Sequence, residues 1–195
     1  MKTLLLALML ASPAADEAPS SPAAKASAGP WDPAVRLAAQ REAMKALAFL
    51  DGEWRGTATA EEPRGAMAHT ERVGTLLDGT IRLVEGRAHD GTGGTVFNAF
   101  AIISYDPVKR AYSIRSHAMG FAGDYPLTVR PDGFSWSHQA GPGTTVRYTA
   151  TVRDGEWHEV GERISGGTEP VKTVELRVRR IGPGGWPADG AVPPR

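Results

Sequence analysis

Two hydrophobic periodicities divide the chain. Between Asp32 and Gly52, the residues Val35, Ala38, Ala39, Met44, Leu47 and Ala48 recur at near-helical spacing. Asp32 is a suitable N-cap, Pro33 fits the first helical position, and Gly52 permits the exit, so one amphipathic helix is predicted over 33–49. After Gly52 the period falls to two. Turn signals bracket ten runs, at 53–60, 66–77, 80–89, 95–105, 110–118, 121–130, 134–139, 144–153, 156–164 and 171–181. Such regular, short strands predict an all-β antiparallel fold, either a sandwich or a barrel.

The connections favour an up-and-down barrel of about ten strands preceded by the helix. Nearly all are short enough to be hairpins, whereas sandwiches usually need Greek-key crossovers. They also alternate in kind. Asp78-Gly79, Asp106-Pro107, Pro131-Asp132-Gly133 and Asp154-Gly155 are compact aspartate turns; 61–65, 90–94, 119–123, 140–143 and 165–170 are looser and richer in glycine. In a meander every second connection lies at one end, which predicts a tight base, a loose mouth and a helix that approaches the base.

Composition then sets the limits of the domain. Of the 15 prolines, five lie at or before Pro33 and four after Gly182, leaving six across the 149 residues between. Residues 15–30 are an Ala/Pro/Ser stretch that buries too little apolar surface to offset ordering entropy, so a disordered linker is expected there. The barrel domain is expected at 31–182 and an extended tail at 183–195. Ahead of the linker, Lys2, the apolar run Leu4–Ala11 and the small residues Ser12 and Ala14 form a secretory signal pattern over 1–14, too short to span a bilayer. Export to the periplasm or the medium is the expectation, with no membrane span in the mature chain.

The chain carries 22 basic and 22 acidic side chains and no cysteine. The balance offers no chain-wide basic field for nucleic acid. Without cysteine there is no disulfide, thiol nucleophile or cysteine-ligated metal, so strand pairing and packing alone must close the barrel.

Gly52-Glu53-Trp54, on the first strand directly after the helix, resembles the G-x-W signature of calycins, the lipocalin and fatty-acid-binding-protein superfamily. That resemblance implies a tryptophan across the barrel base beneath a basic residue from the last strand. Independently, Val174, Leu176 and Val178 set the apolar phase of the last run and Arg180 continues it, making an Arg180–Trp54 cation–π contact natural. The wider set Phe49–Gly56, Leu77–Thr80, Glu85-Gly86, Ser104–Pro107 and Trp157–Glu159 resembles a bacterial family of small exported calycin-like barrels known only as a domain of unknown function. It implies fold and export over about 33–182, and no catalytic residues. Nitrobindin-like haem barrels are more distant relatives, and their haem-ligating histidine maps onto no position here. No cofactor is expected, haem being the alternative.

Three catalytic patterns fail on inspection. His158-Glu159-Val160-Gly161-Glu162 begins like H-E-x-x-H but ends in glutamate on a strand. Gly133-Phe134-Ser135-Trp136-Ser137 lacks the last glycine of a nucleophile elbow. Asp90–Gly94 has no Gly-Lys-Ser/Thr and opens no helix. His69, His89, His117 and His138 fall near mouth-side strand ends, but hairpin counting puts His69 and His89 on opposite faces and separates His117 from His138 by two strands. No metal site is predicted.

Hairpin counting yields a candidate pocket instead. Around Asp78-Gly79, Leu76 faces Ile81, Gly74 faces Leu83 and Arg72 faces Glu85, with His89 further along the same face. If Ile81 and Leu83 point inward, so do Arg72, Glu85 and His89. Around Asp154-Gly155, Trp157, Glu159, Tyr148 and Arg163 share one face, and Phe134, Trp136 and His138 share another phase. The expected interior mixes aromatics with a few charges: Arg72, Glu85, His89, Trp136, His138, Tyr148, Glu159 and Arg163, with Trp54 and Arg180 at the base. A small apolar or amphipathic ligand is the leading expectation, against a core filled by the chain's own side chains and satisfied internal ion pairs. The alternatives are an enzyme using an interior carboxylate or a mouth histidine as general acid or base, and a periplasmic interaction module.

Overall fold

The computed structural model describes Gly29, residues 31–61 and residues 65–187. The expected signal peptide, nearly all of the 15–30 linker and the end of the tail lie outside the described residues. The first element is α1 (Pro33–Met44), capped by Asp32, whose carboxylate accepts from the Ala34 N–H at 2.8 Å. It runs on into a 3₁₀ turn (Lys45–Leu50), so the helical stretch ends one residue past the predicted limit. Ten strands follow: β1 (Gly52–Ala60), β2 (Gly65–Leu76), β3 (Ile81–His89), β4 (Thr95–Asp106), β5 (Ala111–Ala118), β6 (Phe121–Arg130), β7 (Gly133–Gly141), β8 (Thr144–Arg153), β9 (Glu156–Ser165) and β10 (Val171–Gly182). Each pairs antiparallel with its chain neighbours, and β1 pairs with β10, closing the barrel. Closure gives every strand a partner on both sides, which suits a chain without disulfides.

The turns behave as their sequences dictate, with two corrections, one of them at the loose loop expected over 140–143, where only Pro142-Gly143 separate β7 from β8. Asp154-Gly155 is a two-residue hairpin with both φ positive (52° and 73°). The loose loop expected at 119–123 is likewise tight: Met119 and Gly120 adopt φ of 49° and 88°, and β6 begins at Phe121. Around Asp78-Gly79 the connection spans Leu77–Thr80, yet Leu76 still faces Ile81 and Arg72 still faces Glu85.

Directly opposed residues share a face, so the register assigns the interior. Trp54, fully buried, faces Arg180 on β10 and Glu71 on β2; Glu71 faces Gly86, and Gly86 faces Ala99. The helical segment stoppers the base: Met44, Leu47 and Leu50 have at most 1% of their surface exposed and join Trp54, Ile103, Trp157 and Val178 in one core. Polar ties hold the stopper. Arg82, buried on β3, donates to both Asp51 oxygens at 2.6 and 2.8 Å and to the Met44 carbonyl at 2.8 Å. The Tyr112 hydroxyl donates to the Ala43 carbonyl at 2.7 Å, and Gln40 donates to the Tyr105 carbonyl at 2.8 Å. The Trp54 indole N–H donates to the Leu50 carbonyl at 2.9 Å, and the Arg180 guanidinium lies 4.2 Å from the Trp54 ring, as the sequence predicts.

The same register corrects one expectation. Arg72, Glu85 and His89 lie on the outer face, because their neighbours Glu71, Val73, Val84 and Ala88 carry the inward phase fixed by Trp54. Ile81 and Leu83 also point outward. Leu83 is buried nevertheless, outside the main core, on the wall that the C-terminal tail crosses. Trp186 on that tail packs edge-on against Phe100 and lies 4.6 Å beneath the Arg72 guanidinium.

Candidate functional site

Above the stopper the lumen changes character. Four inward aromatic side chains, Tyr125 (β6), Trp136 and His138 (β7) and Tyr148 (β8), form a continuous wall. Trp136 and Tyr148 stack with centroids 4.5 Å apart and planes at 15°; Tyr125 lies 5.3 Å from Trp136 and 5.8 Å from His138. Trp136 faces Tyr148 across the ladder, which is why they stack. All four remain half-buried although they point inward. Glycine makes room for two of them: a Cβ at Gly161 would press on Tyr148 at 3.0 Å, and one at Gly123 would collide with the Tyr125 ring.

The barrel wall is also unlaced here. β6 pairs with β7 from Arg130–Gly133 up to Leu127–Trp136 and no further, whereas β5–β6 and β7–β8 pairing continues toward the mouth. Pro126, with no N–H to donate to a ladder, stands where the pairing stops. Tyr125, Trp136 and His138 therefore border an unpaired seam.

Deeper in, the lumen holds acid. The buried imidazole of His69 (β2) meets a Glu71 oxygen (Nε2 to Oε1, 2.7 Å), and both side chains are at least nine-tenths buried. Gly86 accommodates the Glu71 carboxylate, since a Cβ there would lie 2.6 Å from Oε1. The remaining polar atoms of this pair, His69 Nδ1 and Glu71 Oε2, are buried with no hydrogen-bond partner among the described residues. Glu159 (β9) accepts from the Trp157 indole N–H at 3.2 Å. Burial, and next the Glu71 charge, push its carboxyl up to about 7 against the weaker pull of the indole. Burial, the Glu159 charge and Tyr125 raise the Tyr148 hydroxyl above its ordinary value. Glu159 is thus electrostatically joined both to the acid beneath it and to the aromatic wall.

The inward phase therefore holds Trp136, His138, Tyr148, Glu159 and Arg163, as predicted. Arg163, at the mouth, donates to Glu61 at 2.7 and 3.2 Å. Arg72, Glu85 and His89 do come together, but around a groove of about 340 Å³ on the outside of β1–β3. There burial works to raise the Glu85 carboxyl, and the Arg72 and Arg87 guanidiniums outweigh it, holding it below the usual range. A second outer groove of about 360 Å³ borders Phe100, Met119 and Phe121. Sequence reasoning missed Glu71 and Tyr125 and counted His69 only among mouth histidines. The missing signal was the β1–β2 register, which places Glu71 beside Trp54. The other histidines diverge: His117 points outward with Arg115, and His158 bonds Glu175 at 2.9 Å on the outer face. Among the described residues no three His, Asp or Glu side chains are grouped to hold a metal ion, and no helix is long and apolar enough to cross a membrane.

The fold and site define a closed ten-stranded antiparallel barrel, stoppered at one end and aromatic and acidic within. Compared with the models of known protein families and with curated proteins, the chain matches none.

Proposed function

We propose that this chain is an exported, calycin-like container whose lumen binds a small apolar or amphipathic molecule. The observation that carries the reading is the half-open aromatic wall of Tyr125, Trp136, His138 and Tyr148 beside the unpaired β6–β7 seam. Inward aromatic surface left in contact with solvent is unused apolar burial, and a ligand entering past the seam would complete it. The G-x-W contact of Trp54 with Arg180 supports calycin kinship, and the Lys2–Ala14 pattern supports export. Displacement of a lipophilic dye from the purified chain tests the binding reading. We expect saturable dye binding that weakens at least ten-fold in Trp136→Ala; a chain that binds no dye, or a variant that binds it unchanged, overturns it.

A second reading rests on Glu159, whose carboxyl titrates near neutrality within reach of the lumen, the property of a general acid or base. Turnover of a lumen-bound ester or glycoside that disappears in Glu159→Gln, with binding retained, would establish it.

A further inference from the structure

We propose that the ligand is an organic cation: an ammonium or amidinium group held by Glu71 and Glu159, its apolar body lying on the Trp136–Tyr148 wall. This rests on the container reading and names its ligand class. The first ground is charge. Two inward carboxylates lie between stopper and mouth, and the inward arginines are committed elsewhere: Arg82 to Asp51, Arg163 to Glu61, and Arg180 to the Phe49 and Asp51 carbonyls. Among the described residues, only His69 makes a side-chain hydrogen bond with Glu71, and only the Trp157 indole donates to Glu159.

The second ground is hydrogen-bond capacity. Glu71 Oε2 is a buried acceptor without a donor, and His69 Nδ1 beside it is equally unmatched. A buried carboxyl oxygen in that setting calls for an N–H or O–H group, and a positive one most of all. A ligand carboxylate would add a third carboxyl group to the same lumen. The third ground is the wall itself. Stacked indole and phenol faces attract cations as well as apolar groups, and the negative potential of Glu159 reaches Tyr148. A bound cation would favour the ionised form of Glu159, so binding near neutral pH should release protons to the buffer.

The test is calorimetric titration of the full chain with three molecules sharing one apolar body: naphthylmethylamine, naphthylmethanol and naphthoate. The amine should bind at least ten-fold more tightly than the alcohol, and the carboxylate most weakly. Amine binding at neutral pH should show an enthalpy that depends on the buffer's ionisation heat. Glu71→Gln and Glu159→Gln should each erase the preference for the amine over the alcohol, and cooperative urea unfolding of both variants reports that they fold. Equal affinity for amine and alcohol, or preference for the carboxylate, overturns the cation inference and leaves the container standing. Binding of none of the three, together with failure of the dye, overturns both.

Discussion

At the base of the barrel every large inward side chain meets a partner. Trp54 is enclosed between Trp157, the Arg180 guanidinium and the Leu50 carbonyl, and Phe134 meets Trp157 edge-on at 5.8 Å. Toward the mouth, side chains of the same kind stand half-open beside an unpaired seam, and between the two regions the buried His69 Nδ1 and Glu71 Oε2 go without partners. One sheet carries both halves, so strand pairing alone does not account for the difference. It lies in what fills the lumen: the helical stopper completes the lower half, and nothing in the described chain completes the upper one. Buried groups left unmatched cost stability, and proteins retain such costs mainly where a site needs them.

Two truncations probe that contrast directly. Trp54→Ala removes a fully buried indole from a region with no slack, and should cost about 3–5 kcal/mol. Trp136→Ala removes an indole that is already partly solvated and should cost about 1–2 kcal/mol, while weakening ligand binding. Urea denaturation of the two variants checks this ordering. Equal costs would show that the upper half is as well packed as the lower, and would remove the basis for treating it as a site.

Glu159→Gln gives the next largest effect, and its sign identifies the strained half. The folded-state carboxyl titrates at about 7, above the ordinary 4.5, so between those pH values the folded chain retains a proton that the unfolded chain has released. Stability is therefore full below 4.5, declines as pH rises, and levels off above 7, a loss of about 3 kcal/mol if the whole difference is expressed. Glutamine stays neutral and can still accept from Trp157. The variant should match the parent at pH 4 and exceed it by about 2–3 kcal/mol at pH 8, read from urea midpoints. Glu175 on the outer face runs the other way. Lys172, His158 and Arg177 hold its carboxyl at about 2, so its contribution is present above 4.5 and fades as pH falls through 2.

Much of this architecture was legible in the chain. Hydrophobic alternation and aspartate turns located all ten strands to within about two residues, and hairpin counting recovered the registers about Asp78-Gly79 and Asp154-Gly155. The resemblance implied a basic residue over Trp54, and strand phase picked out Arg180. The misassigned face of β2–β3 has a physical cause. A strand's apolar phase reveals its core side only where the other side is wet, and here Ile81 and Leu83 face outward toward a wall crossed by the tail while His69, Glu71 and Arg82 face inward. The β1–β2 loop, unlike a two-residue turn, fixes no register, so nothing local tied Glu71 to Trp54. The acid in the candidate site was hidden because it breaks the pattern that made the rest readable.

The tail supplies the smallest effect and a control for the comparison. Gly74 faces Leu83 on the outer wall, and a Cβ there would collide with the Trp186 carbonyl and with Pro187. In an open strand, glycine to alanine would usually stabilise by about 0.4–1 kcal/mol through the unfolded chain. Here the methyl group must displace the tail, forfeiting the Phe100 and Arg72 contacts of Trp186, so the two effects should nearly cancel. Gly74→Ala is thus expected to leave stability within about 1 kcal/mol of the parent while Trp186 becomes accessible to an aqueous fluorescence quencher, and ligand affinity should not change. Loss of affinity would mean that the outer wall and the lumen act together. Unchanged affinity with a freed Trp186 would show that the tail covers an apolar patch on the outside, while the opening within belongs to the lumen alone.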